Sequence, residues 1–129
     1  MLSTVMRALL LMSGPLNVVG ALLFAPPFAA SRRSYGLPES DPFYLWILSA
    51  WVLAFGIAYA HMGWTGRANR GVLALGAWGK GVFGTLMLAL ASEGRATVAA
   101  AAGALPDLFM ALAFAWWLWR TRGGAVRPT

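Results

Sequence analysis

The sequence predicts an all-α integral membrane protein, folded as an antiparallel, up-down-up-down bundle of four transmembrane helices. Of its 129 residues, 60% are hydrophobic. Only 11% are charged, against roughly 25% in a typical soluble domain. The apolar residues fall into four runs, each long enough to supply the roughly 20 residues that cross a hydrocarbon core. We therefore expect residues 1–129 to form a single transmembrane domain.

The first transmembrane helix is predicted over about residues 4–25, and Pro26 and Pro27 end it. Arg7 ahead of an apolar run is also a feature of secretory signals. The run of about 18 apolar residues exceeds the usual range of about 7–15, however, and Phe28 interrupts the small-residue cleavage pattern. We therefore expect an uncleaved helix, followed by a short interfacial turn in FAASRRSY and a loop in GLPESD.

Three further helices follow the first, over about residues 42–62, 70–91 and 96–121. Asp41 is a typical N-cap residue, and Pro42 after it suits the first helical position. Asn69 is placed to cap the next helix in the same way. Because the connections are short, neighbouring helices are expected to run antiparallel.

The arginines on the two sides of the bundle predict its orientation. One side collects most of them, namely Arg7, Arg67, Arg70, Arg120, Arg122 and Arg127. On the other side three arginines are offset by acidic residues, namely Arg32, Arg33 and Arg95 against Glu39, Asp41 and Glu93. The positive-inside rule therefore places both termini in the cytoplasm. Two tryptophans, Trp51 and Trp78, fit neither membrane interface, and we expect them to pack deeper.

The net charge and the missing residue types exclude several classes of function. The formal net charge of +6 does not indicate nucleic acid, because the arginines lie between or beyond the apolar runs, where they act as topology signals and lipid headgroup contacts. The chain has no cysteine, which excludes disulfides and thiolate metal sites. His61 is the single histidine and lacks partners for a metal or haem site. We therefore expect no metal, no cofactor and no nucleic-acid partner.

Two ionisable residues, Lys80 and Asp107, lie near the middle of the third and fourth apolar runs. A lone charge at the bilayer centre costs about 2.5–3.5 kcal/mol on insertion scales. Each residue is about ten positions from the start of its helix, so antiparallel helices bring both to one depth. Small residues flank both at four-residue spacing, which permits close helix packing. The sequence therefore predicts an ion pair between Lys80 and Asp107.

The first two helices add polar residues at matching depth, chiefly Asn17 and Tyr59, with Ser13 and Ser49 nearby. Together they suit a small polar cavity, so the predicted ligand-binding residues are Lys80, Asp107, Asn17 and Tyr59. In the alternative interpretation, Asn17 and the serines make ordinary hydrogen bonds between helices. The charged pair would then only determine which helices associate.

The chain resembles small bacterial four-helix membrane proteins of the DoxX-like type. The similarity rests on NVVGALLFAPP in the first helix, GLPESDPFYLW at the start of the second, GAWGKGVF in the third and LPDLFMALAFAWWLW in the fourth. It covers most of the chain and implies a location in the bacterial inner membrane. Some such proteins are described as subunits associated with oxidoreductases, so the resemblance makes a respiratory or redox complex a candidate partner. It carries over no catalytic residues.

Three hypotheses on function follow. The first is a protein that binds or transports a small amphipathic or anionic ligand in a cavity at Lys80 and Asp107. The second is a structural or accessory subunit with a dry interior, which packs against membrane lipids and a membrane-protein partner or a second copy of itself. The third, an enzyme that uses the pair for acid-base chemistry on a lipid, is the least favoured, because no catalytic motif accompanies the pair.

Overall fold

The computed structural model of the chain describes residues 1–122, and these residues form five α-helices and no strand. The helices are α1 (Thr4–Phe24), α2 (Ala29–Ser34), α3 (Pro42–Thr65), α4 (Arg70–Ser92) and α5 (Val98–Arg120). Four of them, α1, α3, α4 and α5, are long and apolar enough to cross a membrane. The predicted all-α class with four transmembrane helices is therefore confirmed. Arg127, one of the arginines that predict the orientation, lies outside the described residues.

The predicted caps of α3 and α4 are present. The Asp41 carboxylate accepts a hydrogen bond from the Phe43 N–H at 2.8 Å, and Pro42 occupies the first turn. The Asn69 side chain accepts from the Val72 N–H at 3.1 Å. Both caps satisfy backbone donors that the first turn of a helix leaves without partners.

The ends of two helices differ by a few residues from the prediction. The second transmembrane helix, α3, continues to Thr65, because the next residue, Gly66, adopts a left-handed conformation with φ +70°. This conformation ends a helix, and glycine adopts it without steric cost. At the other end of the bundle α5 begins at Val98, because Thr97 is its cap and accepts from the Ala100 N–H at 3.1 Å.

Arg32 lies in the connection between α1 and α3, which contains a 3₁₀ turn (Pro26–Phe28) and α2. Its side chain is only 1% exposed and donates to the carbonyls of Leu23, Ala25 and Pro26. It also forms a salt bridge to Glu39 at 3.5 Å. The expectation that Arg32 contacts lipid headgroups is therefore wrong. The end of α1 leaves carbonyls without partners, and the guanidinium supplies their donors.

The transmembrane helices pack as two pairs, α1 with α3 and α4 with α5. The N–H of Leu2 donates to Gly66 O at 3.1 Å, and Ser49 Oγ donates to Ala21 O at 2.6 Å, so the contacts follow opposite directions along α1 and α3. The backbones approach closely at Gly56, where an added Cβ would lie 2.9 Å from the Cβ of Asn17. Small residues permit such close packing in membrane helices. The up-down-up-down order across the membrane and the cytoplasmic placement of the termini stay predictions.

Two apolar clusters join the helix pairs. The first, near the start of α1, contains Leu2, Met6, Leu10, Tyr59, Met62, Leu73, Met110 and Phe114. The second, near the end of α1, contains Leu37, Met87, Ala100 and Ala104. Tyr59, one of the polar residues predicted from the sequence, belongs to the first cluster.

Two tryptophans in the middle of the transmembrane helices, Trp51 and Trp78, are not buried. Trp51 is 64% exposed and Trp78 is 74% exposed, so both side chains face outward from the bundle. The expectation that they pack deeper is therefore wrong. Lipid tails are as apolar as the interior of the bundle, so no hydrophobic force draws a tryptophan side chain inward.

Candidate functional site

Four residues form a central polar group: Lys80 on α4, Asp107 on α5, Asn17 on α1 and Tyr59 on α3. Lys80 is only 8% exposed. Its ammonium forms an ion pair with the Asp107 carboxylate and donates to Asn17 Oδ1 at 2.9 Å. The predicted contact between Lys80 and Asp107 is therefore present, with Asn17 as its third member.

Glycines on α4 determine what packs on either side of Lys80. A Cβ on Gly76 would lie 2.0 Å from the Tyr59 hydroxyl, and one on Gly84 would lie 2.4 Å from Cγ of Leu108. Any larger residue at either position would clash with its neighbour. The two glycines therefore admit Tyr59 and Leu108 against α4, one turn before and one turn after the lysine.

Asn17 connects the two helix pairs. Its Nδ2 donates to the Val52 carbonyl on α3 at 3.0 Å, while its Oδ1 accepts from Lys80 on α4. A carbonyl oxygen can only accept and an ammonium can only donate. The orientation of the amide is therefore determined by its two partners, and Asn17 holds the ammonium in place.

Tyr59 is 1% exposed, and its side chain is held by aromatic neighbours. Its ring centroid lies 5.4 Å from that of Phe114 and 5.9 Å from that of Phe55. The Lys80 ammonium lies 5.7 Å from the same ring, within the range of a cation–π interaction. Among residues 1–122 the Tyr59 hydroxyl has no hydrogen-bond partner, although buried tyrosine hydroxyls usually have one.

The two serines do not join the central polar group. Ser49 donates to the Ala21 carbonyl at 2.6 Å and so links α3 to α1, as the alternative interpretation of the sequence expects. Ser13 is fully buried, and its hydroxyl has no partner within the described residues. Neither residue lines the cavity described next.

A cavity of about 540 Å³ begins at the central polar group and extends between the two helix pairs toward Tyr35 and Leu37. Its volume lies within the range of about 300–1,000 Å³ that is typical of sites for small molecules. The walls are apolar and aromatic, and include Leu23, Phe24, Val52, Phe55, Phe83 and Met87. All four predicted ligand-binding residues line it. The interior of the bundle is therefore not fully packed.

The cavity reaches the outer surface of the bundle between its helices. On α3 and α4 the lining residues include Trp51 and Leu75, which are 64% and 62% exposed. Gly79 on α4 and Gly103 on α5 also line it, and a Cβ built on either glycine would meet no atom within 4 Å. Space for a ligand is thus continuous with the surface that the four apolar helices present to lipid.

Sequence reasoning missed the aromatic walls of this cavity, chiefly Phe55 and Phe83, and the backbone carbonyl of Val52 as a partner of Asn17. On α3 Ser49 and Tyr59 indicate the buried side, but the rest of the helix is apolar on nearly every face, so its sequence carries no signal that Phe55 lines a cavity. A backbone carbonyl carries no sequence signal at all. These features are visible only once the helices are packed.

Comparisons of the chain with models of protein families, with curated proteins and with solved structures found no match. The similarity to the DoxX-like type therefore stays a prediction from the sequence motifs.

Proposed function

We propose that the protein binds a small amphipathic or anionic molecule in the central cavity, with the polar head on the central polar group and the apolar part along the aromatic walls. The observation that carries this proposal is the position of the cavity, which ends on the buried Lys80 and Asp107. Ligand sites of this kind combine apolar walls with a few convergent polar groups. Transport of the bound molecule is a wider form of the same proposal.

The packing around the charged pair supports a role beyond joining helices. A buried pair that only holds helices together repays its desolvation cost only when its remaining hydrogen-bonding groups are also satisfied. Here Asp107 keeps 25% of its side chain exposed, and the residue lines the cavity. Intramembrane charges that border open space are typical of ligand and ion pathways.

The openings of the cavity indicate where the molecule comes from. Trp51, Leu75 and Gly79 line the cavity and lie on the surface of membrane-length helices. A molecule dissolved in the bilayer can enter there without crossing water. The proposed partners therefore include the lipids of a bacterial inner membrane. The distribution of arginines supports an orientation with both termini in the cytoplasm.

The proposal is tested by native mass spectrometry of the protein in mild detergent, with 1-tetradecanol and tetradecanoate as probes. The double variant Lys80→Met with Asp107→Leu removes the polar end of the site but keeps its bulk. We expect the wild-type protein to bind at least one probe, and the double variant to bind it at least tenfold more weakly. Leu86→Met, on the exposed face of α4, is the matched control. Equal binding by the double variant, or no binding by the wild type, contradicts the proposal.

A second candidate function, that of an accessory subunit, is favoured by a groove on the outer face of α4 and α5. The groove has a volume of about 440 Å³ and is lined by small and apolar residues, with Trp78 at its edge and Arg122 at one end. Its small residues are Ala74, Ala77, Ala111 and Ala115. Membrane helices pack against small residues of this kind. A helix of a respiratory or redox complex, or a second copy of the chain, would fit such a groove.

The groove is tested by its effect on association. Ala115→Trp fills it from an exposed position on α5. We expect the variant to lose any dimer, or any defined membrane partner, that copurifies with the wild-type protein in mild detergent. Ala50→Trp, exposed on α3 outside the groove, is the control. A wild-type protein that is monomeric and carries no partner contradicts the accessory role.

A further inference from the structure

We infer that the molecule held in the central cavity is an uncharged, single-chain lipid whose head carries a hydroxyl group. This inference rests on the proposed binding function and narrows its ligand class from amphipathic or anionic to neutral. Three features of the site lead to it: the balance of charge, the unused hydrogen-bonding groups and the shape of the space.

The charge of the site is already balanced. Lys80 and Asp107 are in direct contact, and they are the two charged residues among those that line the cavity. Whichever of the two holds their shared proton, the net charge of the pair is zero. An anionic head would bring an unbalanced negative charge next to the Asp107 carboxylate, in surroundings that solvate charge poorly. An ammonium head would meet the same objection at Lys80.

Some hydrogen-bonding groups at the site are left free, and they include donors as well as an acceptor. The Tyr59 hydroxyl has no partner among residues 1–122, and the residue is 99% buried at the cavity wall. Lys80 uses two of the three hydrogens of its ammonium, one to Asn17 and one to Asp107. One carboxylate oxygen of Asp107 bonds to Lys80, and no bond to its other oxygen is formed within the described residues.

A hydroxyl head satisfies this set of groups. A single hydroxyl accepts from a donor and donates to an acceptor at the same time. Because its oxygen has two acceptor lone pairs, it can accept from both Tyr59 and Lys80 while it donates to the free oxygen of Asp107. An ether or a hydrocarbon lacks the donor and would leave the carboxylate oxygen unpaired, at a cost in binding free energy.

The rest of the cavity suits one apolar chain. Its volume of about 540 Å³ lies in the lower half of the range of about 300–1,000 Å³ for small-molecule sites. The walls beyond the central polar group are hydrocarbon and aromatic, with Phe24 and Phe83 in edge contact at 6.0 Å between ring centroids. The openings beside Gly79 and Gly103 admit a chain from the bilayer.

The test compares three probes with the same chain and different heads: 1-tetradecanol, tetradecanoate and tetradecylammonium. Dissociation constants are measured by native mass spectrometry on the full chain in mild detergent, the carboxylate at pH 9 and the ammonium at pH 7. We expect the wild-type protein to bind the alcohol at least tenfold more tightly than either charged probe.

Two variants make the test specific. Asp107→Asn leaves the positive charge of Lys80 unbalanced. We therefore expect this variant to prefer the carboxylate to the alcohol and to bind tetradecanoate at least tenfold more tightly. Tyr59→Phe keeps the ion pair and the ring, and removes only the free hydroxyl. It is expected to weaken binding of the alcohol roughly three- to tenfold, the effect of one lost hydrogen bond. Tyr44→Phe, at an exposed position near the start of α3, is the control.

The outcomes separate this inference from the function on which it rests. A wild-type protein that prefers tetradecanoate, or that binds the alcohol and the carboxylate equally, overturns the neutral head and leaves the binding function standing. A wild-type protein that binds none of the three probes overturns both. If Asp107→Asn does not fold, the comparison of Tyr59→Phe with Tyr44→Phe decides, and equal binding by the two overturns the inference.

Discussion

Lys80 on α4 donates a hydrogen bond to Asn17 on α1 at 2.9 Å, and this contact joins the two helix pairs of the bundle at their centre. Asn17 is itself tied to α3 through the Val52 carbonyl. Asp107 on α5 forms an ion pair with the same ammonium. The position of the ammonium therefore depends on α1 and α5 directly and on α3 through Asn17. A cavity opens at this point, so the junction of the bundle is also its candidate binding site.

We expect Asn17→Ala to destabilise the protein by about 1–3 kcal/mol. The change leaves the Val52 carbonyl and one hydrogen of the Lys80 ammonium without their partners, and unpaired buried groups carry a penalty of this size. The free energy of unfolding is measured by titration with a denaturing detergent. Val18→Ala, next in the chain and exposed to lipid, is the control. An Asn17→Ala variant as stable as this control would contradict the bridging role.

We expect removal of one charge of the central pair to cost more stability than removal of both. Lys80→Met leaves Asp107 buried without its partner, at a cost of about 3–5 kcal/mol. The double variant with Asp107→Leu leaves no unpaired charge, and such replacements are often neutral or stabilising. A double-mutant cycle on the free energy of unfolding measures the difference. If the double variant is as unstable as the sum of the single variants, the pair does not interact as the structure indicates.

Gly76 and Gly79 lie one turn apart on α4, and we expect opposite effects when each is replaced with alanine. At Gly76 a Cβ would lie 2.0 Å from the Tyr59 hydroxyl, so the variant should lose about 1–3 kcal/mol by overpacking. At Gly79 a Cβ meets nothing within 4 Å, and alanine should gain up to about 1 kcal/mol from its higher helix propensity. Thermal unfolding measures both. Tyr59→Phe should partly restore the stability of Gly76→Ala, and a failure to do so would show that the clash lies elsewhere.

Arg32 and Arg33 are neighbours in α2, and we expect only the first to matter for stability. Arg32 is buried and donates to three carbonyls near the end of α1, whereas Arg33 is exposed. Arg32→Ala removes several charge-assisted hydrogen bonds, and one such bond contributes about 1.5–3 kcal/mol. The variant should therefore be destabilised by about 2 kcal/mol or more. Arg33→Ala should change stability by less than about 0.5 kcal/mol, as is usual for surface positions. Equal effects in an unfolding titration would contradict the capping role.

Ser13 and Ser49 are both buried, and we expect their alanine variants to change the free energy of unfolding differently. The Ser49 hydroxyl donates to Ala21, so its loss should cost about 1 kcal/mol. The Ser13 hydroxyl has no partner within the described residues, so its removal should be neutral or should stabilise the protein by about 1 kcal/mol. Each serves as the control for the other in unfolding measurements. A destabilised Ser13→Ala variant would show that this hydroxyl has a partner in the membrane-embedded protein.

The sequence by itself determined the four transmembrane helices and most of their ends. Length and hydropathy are properties of each segment alone, and so are the capping side chains of Asp41 and Asn69. The meeting of Lys80 with Asp107 was also predictable. Their depth follows from counting residues, and two opposite charges in hydrocarbon have few alternatives to each other.

Only the tertiary structure decided which helices pair, where the cavity lies and what Arg32 does. These features depend on how the surfaces of all the helices fit at once, and in a helix as uniformly apolar as α3 only Ser49 and Tyr59 indicate the buried face. The same holds for the Tyr59 hydroxyl, which has no hydrogen-bond partner among residues 1–122 and lies against α4 because Gly76 admits the ring. Whether a hydroxyl inside the bundle has a partner depends on packing, and packing is not a local property of the chain.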